Sequence, residues 1–142
     1  MSLTNDILFK YVFSHEEVTF DLLKSFFNYI GISKEIENLQ VFKDYLIYGT
    51  NLEDKVFYSD IVAILEDTEY ISIEMYTEFG KEEYMKSASY LSRLFANQLK
   101  RGDLYTKAKK VYSINFITGN YKEDVNVNTK MYKKGNLFMY KK

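Results

Sequence analysis

The sequence contains no cysteine, no proline and no tryptophan, and its only histidine is His15. Without cysteine, the chain can form no disulfide, no thiolate metal site and no thiol nucleophile. With one histidine, it cannot build a zinc site from several imidazole ligands. Thiol catalysis and multi-histidine zinc chemistry are therefore excluded.

Long apolar stretches are also missing. No stretch approaches the roughly 18 residues that a membrane span needs, and no basic segment followed by an apolar one opens the chain. We therefore expect a cytoplasmic protein with no membrane partner. The length of 142 residues favours one domain, and 46% apolar with 27% charged residues is typical of a globular protein.

Charge is distributed unevenly along the chain. Residues 1–80 carry 15 acids and 5 lysines, whereas residues 81–142 carry 14 bases and 5 acids. Two solvated faces that attract each other would explain this pattern. An acidic site beside a basic surface that holds phosphates would explain it equally well. The charge pattern leaves both interpretations open.

Two helices are predicted at the N-terminus. The first begins after a cap at Thr4 or Asn5. The second begins at Ser14, where Glu17 completes a capping box, and it ends before Gly31. The predicted apolar stripes are Ile7, Leu8, Val12 and Phe13 in the first helix, and Val18, Leu22, Phe26 and Ile30 in the second.

Strand patterns follow the two helices. Four strands are predicted, over residues 41–48, 55–65, 70–76 and 111–117. The second and third form a hairpin, and the fourth lies parallel to the third after a crossover through a helix at Glu82–Arg101. The stripe of that helix is Tyr84, Ala88, Leu91, Phe95 and Leu99. The order of elements predicts an α/β fold of the α+β type with a mixed sheet, and residues 118–142 form a weakly predicted tail.

The predicted hairpin carries two carboxylates within apolar strands, Asp60 and Glu74. Burying such groups is costly unless they are paired or bound to a metal, and Mg²⁺ favours one or two carboxylates. With a three-residue loop, Asp60 lies opposite Glu74 and Leu65 lies opposite Glu69. The alternative is that both acids point to solvent on a one-sided sheet.

Short segments between residues 3 and 117 carry a family resemblance. In chain order they are TNDILFKYVF (4–13), Asp54-Lys55, Ser59-Asp60-Ile61, Ile73-Glu74-Met75, KSASY (86–90), QLKRGDLY (98–105) and VYSIN (111–115). Together, in this order and at these spacings, they resemble the PD-(D/E)xK nuclease family of transposase-like or recombination-promoting nucleases.

The resemblance implies a restriction-endonuclease-like core and a DNA endonuclease that depends on Mg²⁺ or Mn²⁺, in the context of mobile elements or recombination. It implies that Asp60 and Glu74 ligate the metal together with the main-chain carbonyl of Met75. DNA is the implied partner, and two strand cuts would suit a homodimer. Family members often extend well beyond 142 residues, so truncation at the C-terminus is one interpretation of this chain.

Two positions depart from the family pattern. Ser59 stands where the motif has proline, and Tyr76 stands where the motif has lysine or glutamine. A tyrosine hydroxyl can hydrogen-bond, but it carries no charge at neutral pH. Lys86 lies where the family tends to have arginine. From its helix, Lys86 could supply the positive charge that Tyr76 lacks. The candidate catalytic residues are therefore Asp60, Glu74, Tyr76 and Lys86.

Alternatives remain at this point. A catalytically decayed nuclease fold that acts as a DNA-binding or protein-interaction module is the main one, and Tyr76 favours it. An interaction module that uses an exposed aromatic surface is another. Asp6 is either a third acid near the site or an ordinary acidic residue at a helix N-terminus.

Overall fold

Helices and strands follow one another in the predicted order. The computed structural model describes residues 6–49, 51, 53–66, 69–122, 130–134 and 137–141. In chain order the elements are α1 (Asp6–Phe13), α2 (Glu16–Tyr29), β1 (Leu39–Ile47), β2 (Phe57–Leu65), β3 (Glu69–Phe79), α3 (Lys81–Ala96), a 3₁₀ turn (Tyr105–Lys107), β4 (Val111–Tyr121), β5 (Lys130–Lys134) and β6 (Leu137–Lys141).

The first four strands form one sheet in the order β1-β2-β3-β4. β1 and β3 are antiparallel to β2, whereas β4 is parallel to β3. A parallel pair needs a crossover, and α3 supplies it between β3 and β4. The predicted α+β class with a mixed sheet is therefore confirmed. β5 and β6 form a separate two-stranded antiparallel sheet, within the segment for which the sequence predicts only a weak strand signal.

The register of the β2–β3 hairpin agrees with the three-residue loop. Leu65 pairs with Glu69, and at the other end Ile61 pairs with Ile73. These pairs extrapolate to Asp60 opposite Glu74, the relation expected from the sequence. A two- or four-residue loop would have placed the two carboxylates on opposite faces of the sheet.

The core lies mainly between the N-terminal helices and one face of the sheet. The buried residues of this cluster are Phe9, Phe13, Leu23, Phe26 and Phe27 from the helices, and Ile61, Ala63, Leu65, Ile71, Ile73 and Ile114 from the strands. A smaller cluster places Tyr90 and Leu94 of α3 against Ile47. The helices thus pack against the central strands, which carry Asp60 and Glu74.

The buried stripes of the helices agree only in part with the predicted ones: Phe13 in α1 and Phe26 in α2 are buried as predicted. In α1, Phe9 is buried whereas Ile7 is 79% exposed. In α2 Thr19 and Leu23 are buried in place of the predicted Val18 and Leu22, and the Thr19 hydroxyl donates a 2.6 Å hydrogen bond to the carbonyl oxygen of Phe13. In α3 the buried residues are Ser87, Tyr90 and Leu94, whereas the predicted Phe95 is 43% exposed. A periodicity that counts only apolar residues misses buried hydroxyls that have a partner.

The ends of α2 give one correction and one confirmation. Ser14 does not cap the helix: its hydroxyl donates to the carbonyl oxygen of Tyr11, and the N-cap is His15 without a side-chain hydrogen bond. Gly31 ends the helix as predicted, with φ of 78°. The amides of Gly31 and Ile32 donate back into the last turn, as in a Schellman motif.

Helix α3 ends at Ala96, five residues before the predicted end at Arg101. The amide side chains that follow bond to other segments. Asn97 donates to the carbonyl oxygen of Tyr48, and Gln98 makes two hydrogen bonds with the backbone of Lys109. These long-range bonds favour a turn over further helix. No helix in the described part of the chain is long and apolar enough to cross a membrane.

Candidate metal centre

The sheet is irregular at Asp60 on both sides of β2. Pairing with β1 passes from Lys43–Ile61 to Tyr45–Ser59 and omits the position between them, which is Asp44 opposite Asp60. Asp44 has a φ of 50°, a left-handed conformation that is uncommon outside glycine. On the other side, regular pairing with β3 stops at Ile61. Backbone groups near Asp60 are thereby released from the ladder.

Side chains replace the missing ladder bonds between β2 and β3. The Asp60 amide donates to Glu74 Oε1 at 3.1 Å, and the Met75 amide donates to Asp60 Oδ2 at 3.4 Å. Each strand therefore offers a backbone donor to the carboxylate of the other. This reciprocal arrangement holds both carboxylates and the Met75 main chain at one place in the hairpin.

The alternation of side chains along β2 breaks at the same place. Strict alternation would put Ser59 on the face of Ile61, away from Glu74. Instead, Ser59 Oγ donates to Glu74 Oε1 at 2.7 Å and lies 2.8 Å from Ser72 Oγ. The residue that replaces the motif proline thus supplies a hydroxyl to the second acid.

Glu74 is a buried acid with a neighbouring acid. Its side chain is only 2% exposed, so the alternative in which both acids face solvent is wrong for this residue. Burial, followed by the negative charge of Asp60, raises the pKa of the Glu74 carboxyl to about 8, although the Ser59 hydroxyl and the Asp60 amide oppose the shift. Without a cation nearby, Glu74 holds a proton at neutral pH.

Asp60 lies at the edge of the buried region. Its side chain is 19% exposed, so one side of the carboxylate reaches solvent. A ligand can therefore approach the pair from the Asp60 side, while the Glu74 side is closed by Ser59 and Ser72. The site is a shallow acidic recess in the middle of the sheet.

The donor set fits a hard divalent cation. Two carboxylates converge here, and the unfavourable interaction that raises the pKa of Glu74 is one that a cation between them would relieve. Mg²⁺ commonly takes one or two carboxylates, with water and phosphate oxygens completing its shell. Among the described residues, no group of three or more histidine, aspartate or glutamate side chains forms a metal site. Asp60 and Glu74 are thus a two-carboxylate set.

Tyr76 lies two residues beyond Glu74, on the same face of β3. Its side chain is 8% exposed and packs against Phe79 and Ile117. Within the described chain its hydroxyl has no hydrogen-bond partner. Burial and the negative charge of Glu74 raise the pKa of Tyr76, so the hydroxyl stays protonated and can only act as a neutral group.

The ammonium of Lys86 contacts the ring of Tyr76 rather than the carboxylates of Asp60 and Glu74. This ammonium is 5.4 Å from the ring centroid of Tyr76 and 5.4 Å from that of Tyr90. Such contacts with aromatic rings are favourable for a cation. The next residue, Ser87, anchors α3 to the sheet through Ser113, with 3.0 Å between the two hydroxyl oxygens. The structure therefore brings Lys86 to the aromatic side of the site.

One basic residue at the site was missed by sequence reasoning. The ammonium of Lys10 lies 3.8 Å from Asp60 Oδ1, 2.7 Å from Asp44 Oδ1 and 3.1 Å from Asp6 Oδ2. Hydrogen bonds to Asp44 and Asp6 raise the pKa of Lys10, so it remains charged. The four-residue spacing of Asp6 and Lys10 was the available signal. Nothing in the sequence pattern indicates the contact with Asp44.

The fold and the site together define a class. A mixed sheet flanked by helices, with two acids on a hairpin beside a parallel crossover strand, is consistent with a PD-(D/E)XK nuclease fold. The family model described as PD-(D/E)XK nuclease family transposase matches residues 3–140. The chain therefore belongs to this family, as the sequence resemblance indicates. Neither the curated proteins nor the solved structures gave a match to the chain.

Proposed function

We propose that this protein is a metal-dependent endonuclease that hydrolyses phosphodiester bonds in DNA. The convergence of the Asp60 and Glu74 carboxylates at the break in the β2–β3 ladder carries the proposal. Membership of a nuclease family supports it. An association with mobile elements or recombination, a cytoplasmic location and a homodimeric form belong to the same proposal.

Asp60 and Glu74 would hold Mg²⁺ or Mn²⁺, together with the main-chain carbonyl of Met75. When bound, such a cation supplies Lewis-acid stabilisation of the phosphate and a more acidic water. The Ser59 hydroxyl and the Asp60 amide fix the orientation of Glu74. The Met75 amide does the same for Asp60. The protein thereby provides oriented carboxylates in a recess that is partly closed to water.

Tyr76 and Lys86 complete the proposed catalytic set. The unpartnered hydroxyl of Tyr76, buried two residues from Glu74, donates a hydrogen bond to the attacking water or to the scissile phosphate. Lys86, held over the rings of Tyr76 and Tyr90, adds positive charge on the same side. Neither residue reproduces the charged side chain that usually follows the second acid.

The test is nicking of supercoiled plasmid in Mg²⁺ and in Mn²⁺ by the full chain. Asp60→Asn and Glu74→Gln each remove a carboxylate, and we expect a loss of at least about 100-fold, because metal stabilisation is worth several kcal/mol. The matched controls are Asp21→Asn on the exposed face of α2 and Glu82→Gln in the first turn of α3, and both should nick like wild type. Equal nicking by wild type and Asp60→Asn would reveal a contaminant and overturn the proposal.

A catalytically decayed nuclease fold is the second candidate. The specific observation that favours it is the neutral, buried Tyr76 in place of the motif lysine. This candidate expects no nicking by wild type in either metal, although DNA binding persists. A Tyr76→Lys variant that nicks where wild type does not would locate the decay at that position.

A further inference from the structure

We propose that Lys10 is a further catalytic residue, whose ammonium contacts a non-bridging oxygen of the scissile phosphate and supplies the positive charge that position 76 lacks. The proposal rests on the proposed function, because it concerns the same site. In this proposal, a residue of α1 takes the role that the motif lysine would have on β3.

The contacts of Lys10 leave one donor free for a ligand. An ammonium has three N–H donors. Two are accounted for by Asp44 at 2.7 Å and Asp6 at 3.1 Å. The 3.8 Å separation from Asp60 Oδ1 is too long for a hydrogen bond. Among the described residues, the third donor of Lys10 thus has no short partner, and it lies beside the exposed edge of Asp60.

Asp44 and Asp6 position Lys10 next to Asp60, while the Asp60 carboxylate accepts no hydrogen bond from Lys10. Asp44 does so from an unusual backbone conformation, with φ of 50° at the unpaired position opposite Asp60. A non-glycine residue in this conformation costs free energy and is often associated with functional sites. Asp6 reaches Lys10 from one turn earlier in α1. The two shortest contacts of Lys10 are with Asp44 and Asp6, and its contact with Asp60 is the longest of the three.

The other candidate catalytic groups do not place a positive charge beside Asp60. Tyr76 is neutral and buried, and the ammonium of Lys86 lies over aromatic rings. In the part of the chain that the structure describes, Lys10 is the basic residue within 4 Å of either candidate ligand. A phosphate oxygen bound beside Asp60 would therefore lie close to the ammonium of Lys10.

The first test measures DNA binding, which does not depend on cleavage. A short duplex is titrated with the full chain in Ca²⁺ at several salt concentrations, using wild type, Lys10→Met and the exposed control Lys24→Met. One lost phosphate contact lowers the slope of log affinity against log salt by about 0.9. We expect this decrease in Lys10→Met and no change in Lys24→Met. An unchanged slope in Lys10→Met overturns the proposal.

The second test is rescue. Lys10→Met should reduce plasmid nicking about 100-fold, the usual loss when one group that stabilises transition-state charge is removed, and the double variant Lys10→Met/Tyr76→Lys should recover most of it. A merely structural lysine on α1 would not be replaced by a lysine on β3, so no recovery contradicts the proposal. If Lys10→Met fails to fold, the double variant Lys10→Gln/Asp44→Asn is measured in the same way, because it replaces the ion pair with two neutral side chains.

The outcomes separate this inference from the proposed function. Wild type that binds DNA without nicking overturns the endonuclease proposal, and the salt slope still decides the contact made by Lys10. Wild type that nicks, with an unchanged slope in Lys10→Met, overturns only the role of Lys10. Wild type that does not bind DNA overturns both.

Discussion

At the scale of single residues, Glu74 links the chemistry of the site to the stability of the protein. Its pKa is about 8 in the folded protein, against an ordinary value of 4.5. A group whose pKa is raised on folding contributes stability that is fully present below its unfolded pKa. That contribution is lost as pH rises through the folded pKa. Metal-free protein should therefore lose stability between about pH 5 and pH 8.

We expect Glu74→Gln to flatten this pH dependence, because glutamine has no proton to lose. Urea denaturation in EDTA between pH 5 and pH 9 measures the free energy of unfolding of both proteins. Mg²⁺ should stabilise wild type more at pH 8 than at pH 6, and the variant little at either. Parallel pH profiles for wild type and Glu74→Gln would contradict the assignment, and the exposed Glu82→Gln serves as the control.

Tyr76 allows stability and activity to be separated. Its hydroxyl is buried without a partner among the described residues, so removing it should not lower stability and can raise it. If the hydroxyl donates to the attacking water or the phosphate, its loss removes one hydrogen bond in the transition state, worth roughly tenfold in rate. Tyr76→Phe should thus melt at or above the wild-type temperature and nick about tenfold more slowly. Unchanged nicking would remove the hydroxyl from the catalytic set.

At the scale of elements, the β3–β4 pair determines where Tyr76 lies. The register shifts between Tyr76 and Glu78, and at this point Gly119 packs directly on the backbone of Thr77. A Cβ added at Gly119 would clash with the Thr77 carbonyl oxygen. Backbone cannot move aside as a flexible side chain can, so the strands would have to separate.

Gly119→Ala should therefore destabilise the fold by about 1–3 kcal/mol, the usual cost of overpacking. Gly31→Ala is the matched comparison, since a Cβ there meets nothing within 4 Å and only the φ of 78° is unfavourable. Its cost should be about 1 kcal/mol, from the left-handed backbone alone. Chemical denaturation of both variants measures the difference. A Gly119→Ala variant as stable as wild type would mean that β3 and β4 are not in this close contact.

The hairpin shows what the sequence could predict. Asp60 and Glu74 are close in the chain, so local arithmetic related their register to the loop length, and the structure has the register of the three-residue loop among those that the sequence allowed. The break in alternation that turns Ser59 towards Glu74 was not predictable, because it depends on hydrogen bonds between side chains of two strands. Lys10 was missed for a similar reason. Its contact with Asp44 joins α1 to β1 and requires a left-handed aspartate that no periodicity indicates.

At the scale of the whole molecule, the structure shows where several acids of the acidic half of the sequence lie. Four acids of the acidic half, Asp6, Asp44, Asp60 and Glu74, gather at one place, and Lys10 forms ion pairs with the three aspartates. The basic half includes Lys86 on α3 and Lys122, which follows β4 and pairs with Glu78. The described residues thus place the acidic part of the pattern at one site, whereas both interpretations of the basic part stay open. Without a divalent cation, the acidic recess would repel the phosphates of DNA.

This repulsion predicts opposite effects of one substitution with and without a divalent cation. In EDTA, Asp60→Asn should bind a short DNA duplex roughly threefold more tightly than wild type, because a repulsive charge near the phosphates is removed. In Ca²⁺ the order should reverse, since wild type gains an ion that the variant no longer holds. Fluorescence anisotropy in both buffers measures the two affinities. Asp21→Asn, on the exposed face of α2, should follow wild type in each buffer. If Asp60→Asn also follows wild type in both, the DNA does not approach the acidic recess and binds elsewhere on the protein.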